Sequence, residues 1–133
     1  MRLMIIDDDA ETGELLQRCF LLEIPDIKST TVCPGFKAAK MVLSTYYDDD
    51  VIAFPDLVVL EAKLNGGSSA TLVRLIRECK GMTTIPVLIY TNSDNDELKQ
   101  ECMASGATKM LQKGPKGPAE LVACITTLML KKK

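Results

Sequence analysis

Short apolar runs alternate along this chain with longer stretches in which apolar residues recur every three or four positions. The runs Leu3-Met4-Ile5-Ile6, Leu57-Val58-Val59-Leu60 and Val87-Leu88-Ile89-Tyr90 are continuous, the pattern of strands buried on both faces. Five strand–helix pairs account for the whole sequence, which predicts an α/β fold: a parallel sheet, doubly wound, with helices on both faces. The pattern assigns strands to residues 2–6, Ile27–Val32, Asp56–Leu60, Ile85–Tyr90 and Thr108–Gln112. Helices are assigned to about 10–22, Pro34–Tyr47, Ser68–Cys79, Asp94–Ala104 and Pro118–Leu130.

Local signals sharpen this outline. The first helix carries Leu15, Leu16, Cys19, Phe20 and Leu22 as its apolar stripe, and the second Ala38, Met41, Val42 and Thr45, with Pro34 tolerated in its first turn. The second strand follows a break at Pro25-Asp26 and is more polar than the others, which suits an edge. Gly106 stands where a helix stop prefers glycine.

Composition narrows the class. A chain of 133 residues, 47% hydrophobic and 26% charged, fits a single soluble domain spanning 1–133. The formal net charge of -2 gives no reason to expect direct nucleic-acid binding. The apolar runs fall far short of the roughly 18 residues of a membrane span, and the short apolar segment after Arg2 is no secretory leader, so the cytoplasm is the expected compartment. Five cysteines are scattered singly and no histidine accompanies them, which argues against zinc and for small buried thiols kept reduced. The run Asp48-Asp49-Asp50 reads as a solvated turn, and Lys131-Lys132-Lys133 as a solvated tail.

The candidate chemistry lies at strand ends. Asp7 and Asp8 follow the first strand, Glu61 the third, Thr91 the fourth and Lys113 the fifth. In an open parallel sheet, ligands bind outside the carboxyl ends of the strands. Three carboxylates gathered there repel one another, by roughly 4 kcal/mol per pair at about 4 Å and an effective dielectric near 20. A hard divalent cation such as Mg²⁺, or the ammonium of Lys113, is the natural answer.

In this order of residues the chain resembles the receiver domains of two-component response regulators. The likeness spans nearly all of the sequence and rests on four segments: Ile5 to Glu11, Pro55 to Glu61, Ile85 to Thr91 and Gly106 to Lys113. The resemblance implies a flavodoxin-like (CheY-like) sheet of order 2-1-3-4-5 and a Mg²⁺-assisted phosphoryl switch fed by a histidine kinase. By motif, Asp7, Asp8, the acid at position 61 and the backbone carbonyl of Lys63 would hold the metal, Thr91 and Lys113 would bind phosphoryl oxygens, and Met110 would sit at the switch position.

This chain departs from the pattern at four places. Glu61 replaces the phosphate-accepting aspartate, Asn65 replaces a frequent proline, Met110 replaces an aromatic residue, and Gly114-Pro115 follows the lysine where proline usually follows directly. The extra methylene of Glu61 moves its carboxylate outward by over ~1 Å, towards the place of a phosphoryl oxygen, where it would bond Lys113 or Thr91. The expected function is therefore an atypical receiver that signals by docking rather than by catalysis. Helix five carries more apolar residues than one stripe needs, and the resemblance implies that helix four, strand five and helix five, about 94–130, form the surface for a protein partner or second copy. Two alternatives stand beside it: a receiver still phosphorylated with Mg²⁺, and a haloacid-dehalogenase-like phosphatase using Asp7-x-Asp9. The latter lacks its further acid pair, because Glu120 is the only acid after Lys113.

Overall fold

Five parallel strands, each followed by a helix, form one sheet in a computed structural model that describes residues 1–47 and 54–131. The aspartate run at 48–50 and the last two lysines lie outside the described residues. The strands are β1 (Arg2–Ile6), β2 (Ser29–Cys33), β3 (Leu57–Leu60), β4 (Val87–Thr91) and β5 (Lys109–Gln112). The helices are α1 (Ala10–Glu23), α2 (Phe36–Thr45), α3 (Ser69–Glu78), α4 (Asp96–Ala104) and α5 (Gly117–Lys131). The sheet runs β2-β1-β3-β4-β5, so the chain reverses direction of travel between β1 and β3.

Burial follows from that order. The three central strands are apolar apart from Arg2 and Thr91 at their ends and almost entirely buried, while edge strands β2 and β5 are mixed. The two-residue period splits their side chains between two cores. Met4, Ile6, Val58, Leu60, Val87 and Ile89 join one core with residues of α2 and α3. Leu3, Ile5, Leu57, Val59, Leu88 and Tyr90 join the other with α1 and α5.

The second unit differs from its sequence reading. β2 begins two residues later than expected, and Pro34 lies outside α2, whose N-cap is Gly35 at φ 116°. Ala39 and Leu43 are the fully buried side chains of α2 and Ala38 and Val42 pack against the same core, whereas Met41 and Thr45 are exposed. On α1 the buried positions are Gly13, Leu16 and Phe20; Leu15 and Leu22 face out. Doubled leucines at 15–16 and 21–22 fill both faces of the helix, so periodicity alone could not fix its phase. Gly13 fixes it, because a Cβ there would come within 2.8 Å of Val32 Cγ1.

The end of α4 follows its sequence signal. Gly106 takes φ 118°, its N–H donates to Met103 O and that of Ala107 donates to Cys102 O, the two bonds that close a helix on a left-handed glycine.

One staple was not legible in the sequence. Arg77 on α3 donates to Ile85 O at 2.7 Å and to Gly106 O at 2.9 Å, tying the helix to the turns that enter β4 and β5. Hydrogen bonds from a charged donor each contribute about 1.5–3 kcal/mol. Arg77→Ala is expected to cost about 2–3 kcal/mol in urea unfolding; a loss under about 0.5 kcal/mol would show that water replaces the guanidinium at both carbonyls.

Candidate functional site

Strand register brings the candidate residues to one edge. Ile6 pairs with Leu60 and Leu60 with Ile89, so Asp7 and Glu61 emerge side by side just beyond the ladder, with Thr91 ending β4 next to them. Thr91 pairs with Gln112, and the Lys113 N–H donates to Thr91 O at 2.9 Å, which carries the lysine to the same level. Asp7, Glu61 and Thr91 are buried, the rare condition for polar groups that demands partners.

They find them in one another. The Thr91 hydroxyl donates to Glu61 Oε1 at 2.8 Å and accepts the Ser93 N–H at 3.1 Å. Lys113 Nζ donates to Asp7 Oδ2 at 2.8 Å and lies 3.0 Å from Glu61 Oε2. The second contact is an ion pair whose angle falls outside hydrogen-bond geometry, so Glu61 Oε2 is buried without a hydrogen bond. One ammonium thus answers two carboxylates. The ammonium also lies 5.9 Å from the centre of the Tyr90 ring, within reach of a cation–π attraction.

Burial alone would lower the pKa of Lys113, but its hydrogen bond to Asp7 and its close charge contacts with Asp7 and Glu61 outweigh that and raise it. The lysine therefore keeps its charge throughout the physiological range. Its contribution to stability is complete below the unfolded lysine pKa and is lost only as pH rises through the higher folded value.

Asp8 is turned elsewhere. It is exposed, and its Oδ2 accepts the Asn65 N–H at 2.8 Å, linking the loop after β1 to the loop after β3. Gly35 makes room for it, since a Cβ there would sit 2.7 Å from Asp8 Oδ1. Lys63 is exposed, with its N–H 3.4 Å from Glu61 Oε1. Asp9 caps α1, accepting from the Glu11 N–H and the Thr12 hydroxyl, and the latter bond is the main reason its pKa is lowered. An aspartate spent on a helix cap is poorly placed as the second acid of a phosphatase.

Met110 is half-buried on β5 opposite Ile89 and lines a shallow cleft with Asp96, Lys99, Gln100 and Met103 of α4. On α5 Gly117, Leu121 and Ile125 are buried, and Leu130 is exposed.

As arranged, the acids do not fit a hard divalent cation. Both Asp7 oxygens are occupied, Oδ2 by Lys113 and Oδ1 by the Asp9 N–H at 2.9 Å. Glu61 Oε1 is held by Thr91, and Asp8 is drawn to Asn65. Among the described residues, no three acidic, thiol or imidazole side chains converge on one point.

Sequence reasoning found Asp7, Glu61, Thr91 and Lys113, and the structure brings those four together. It missed the Asn65 N–H, the space at Gly35 and the Tyr90 ring. The backbone donor leaves no mark in a sequence. Gly35 did carry one, a glycine just ahead of a helix, but its use depends on the neighbouring loop.

Residues 3–126 match the family model described as the response regulator receiver domain. The chain is 29% identical over 132 residues to the phosphate regulon transcriptional regulatory protein PhoB of Klebsiella pneumoniae, covering 96% of this chain and 51% of that protein. It thus spans about half the length of that relative. Among solved structures, the Francisella response regulator 1452 receiver domain superposes with a TM-score of 0.75 at 24% identity, covering 99% of this chain and 98% of that one. The receiver domain of a DNA-binding response regulator of Colwellia psychrerythraea 34H gives 0.78 at 22% identity, covering 97% and 98%. No helix among the described residues is long and apolar enough to cross a membrane.

Proposed function

Because the chain belongs to the response regulator receiver domain family, we propose that it is an atypical receiver in which Glu61 stands in for a phosphorylated aspartate and the signal is passed by protein docking. The observation that carries this reading is the position of the Glu61 carboxylate, 2.8 Å from Thr91 Oγ1 and 3.0 Å from Lys113 Nζ. Those are the two groups that the family uses to hold a phosphoryl group. Here a side chain of the protein already occupies them.

The electrostatics favour a site that is closed on itself. A cation brought to Asp7 would have to displace a partly buried ammonium from Oδ2, and it would meet Asp8 already bonded to the neighbouring loop. Mg²⁺ is accordingly proposed to bind weakly or not at all. The domain acts as a binding module rather than an enzyme, works in the cytoplasm, and meets its partner or a second copy through α4, β5 and α5. The exposed Met103 and Leu130 and the half-buried Met110 supply apolar contact area there.

Incubation with Mg²⁺ and a small phosphoryl donor, followed by intact-mass measurement, tests the reading. The expected result is an unchanged mass. A stable gain of one phosphoryl group would replace it with the second reading, a Mg²⁺-dependent receiver still switched by a histidine kinase. Glu61→Ala is expected to keep the fold and weaken partner binding, and unchanged affinity would count against mimicry.

A further inference from the structure

We propose that Asn65 is a site of spontaneous deamidation, and that its conversion adds a negative charge beside Asp8 at the rim of the acid cluster. In this reaction the backbone nitrogen of the following residue attacks Cγ of the asparagine and gives up its proton to solvent. The side-chain nitrogen leaves as ammonia, and a five-membered succinimide closes. Water then opens the ring at either carbonyl, giving aspartate or isoaspartate, so one water enters and one ammonia departs.

The attacking nitrogen must be free and unhindered, and the amide must be accessible. The chain has three asparagines, and the structure separates them. Asn65 is exposed, and among the described residues its side chain makes no hydrogen bond. Gly66 follows it, with no side chain to block the approach and open space around its Cα. The Gly66 N–H donates to no group among the described residues.

Asn92 is also exposed, but the nitrogen that would attack it, that of Ser93, is held by Thr91 Oγ1 at 3.1 Å. Asn95 caps α4, its Oδ1 fixed by the Leu98 N–H at 3.0 Å. Among the described residues, only Asn65 has nucleophile and amide both unrestrained.

The consequence falls on Asp8. Its carboxylate accepts the Asn65 N–H at 2.8 Å, so the new carboxylate is carried by the same residue whose backbone Asp8 holds. Like charges repel. The isoaspartyl product also inserts an extra carbon into the backbone of the loop that carries the bond. Either product loosens the tie between the loops after β1 and β3.

Ageing the folded protein in mildly alkaline buffer and mapping its peptides by mass spectrometry tests this. Asn65 is expected to exchange its amide for a carboxylate faster than Asn92 or Asn95 by roughly tenfold or more, the ratio supplied by one hydrogen bond and one blocked approach. Asn65→Gln, which requires a larger ring, should abolish the reaction at that position without altering the turn. Gly66→Ala should slow it, although the φ of 87° there strains any Cβ. The amide signals of Asp8 and Asn65 should shift in step with the mass change. Deamidation of Asn92 ahead of Asn65, or an unchanged Asn65 in folded protein after the urea-unfolded chain has reacted, would overturn the proposal.

Discussion

Lys113→Met is expected to destabilise the domain by about 3–5 kcal/mol near neutral pH, the cost of leaving a buried charge without its partner. The physical reason is the sharing of one ammonium. With Lys113 gone, Asp7 and Glu61, both buried, face each other with no cation between them. That loss is a large fraction of the roughly 5–15 kcal/mol that holds such a domain together. At strongly alkaline pH the two proteins should converge, because the wild type also loses its ammonium once pH exceeds the raised Lys113 pKa. Pairing the change with Glu61→Gln should recover part of the loss, since a neutral amide removes one of the two stranded charges. Urea titrations across pH provide the measurement. A loss below about 1 kcal/mol, the level of an exposed ion pair, would show that water rather than Lys113 satisfies the two acids.

Glu61→Asp is expected to produce the largest functional change. Removing one methylene withdraws the carboxylate by over ~1 Å, which takes it from Thr91 Oγ1 and Lys113 Nζ and frees both for a phosphoryl group. Alignment errors of about 1 Å cost on the order of 100-fold in reactions of this kind. The variant should therefore gain one phosphoryl group from a small donor in Mg²⁺ buffer at least about 100-fold faster than the wild type. Equal labelling of the two proteins would mean that side-chain length at this position is not what limits the chemistry.

Most of the fold was legible because it is written in an uninterrupted apolar code. Leu57 to Leu60 and Val87 to Tyr90 are buried, and a strand covered on both faces of a parallel sheet calls for such unbroken runs. The edge strand β2 was harder to place. Its pattern is polar and half-exposed, so its register against β1, Ile5 to Val32 and Ile6 to Cys33, is set by the partner strand rather than by its own residues. The same holds for Pro34, allowed by propensity in a first helical turn yet excluded by the turn that Gly35 makes. On α1, Leu15 and Leu16 compete equally for the inside until the close approach of Gly13 to Val32 selects Leu16.

The acid cluster divides in the same way. That Asp7, Glu61, Thr91 and Lys113 share one edge was determined by sequence alone, because each ends a strand and parallel strands present their ends together. How they are paired was decided only by the tertiary structure. Lys113 reaches Asp7 as well as Glu61, Asp8 turns away to Asn65, and Arg77 staples two turns whose carbonyls no sequence motif announces. A sequence sets which side chain stands at the end of each strand. The distances between those ends come from sheet register and from loops packed against one another, and electrostatic and hydrogen-bond energies change over tenths of an ångström to a few ångströms.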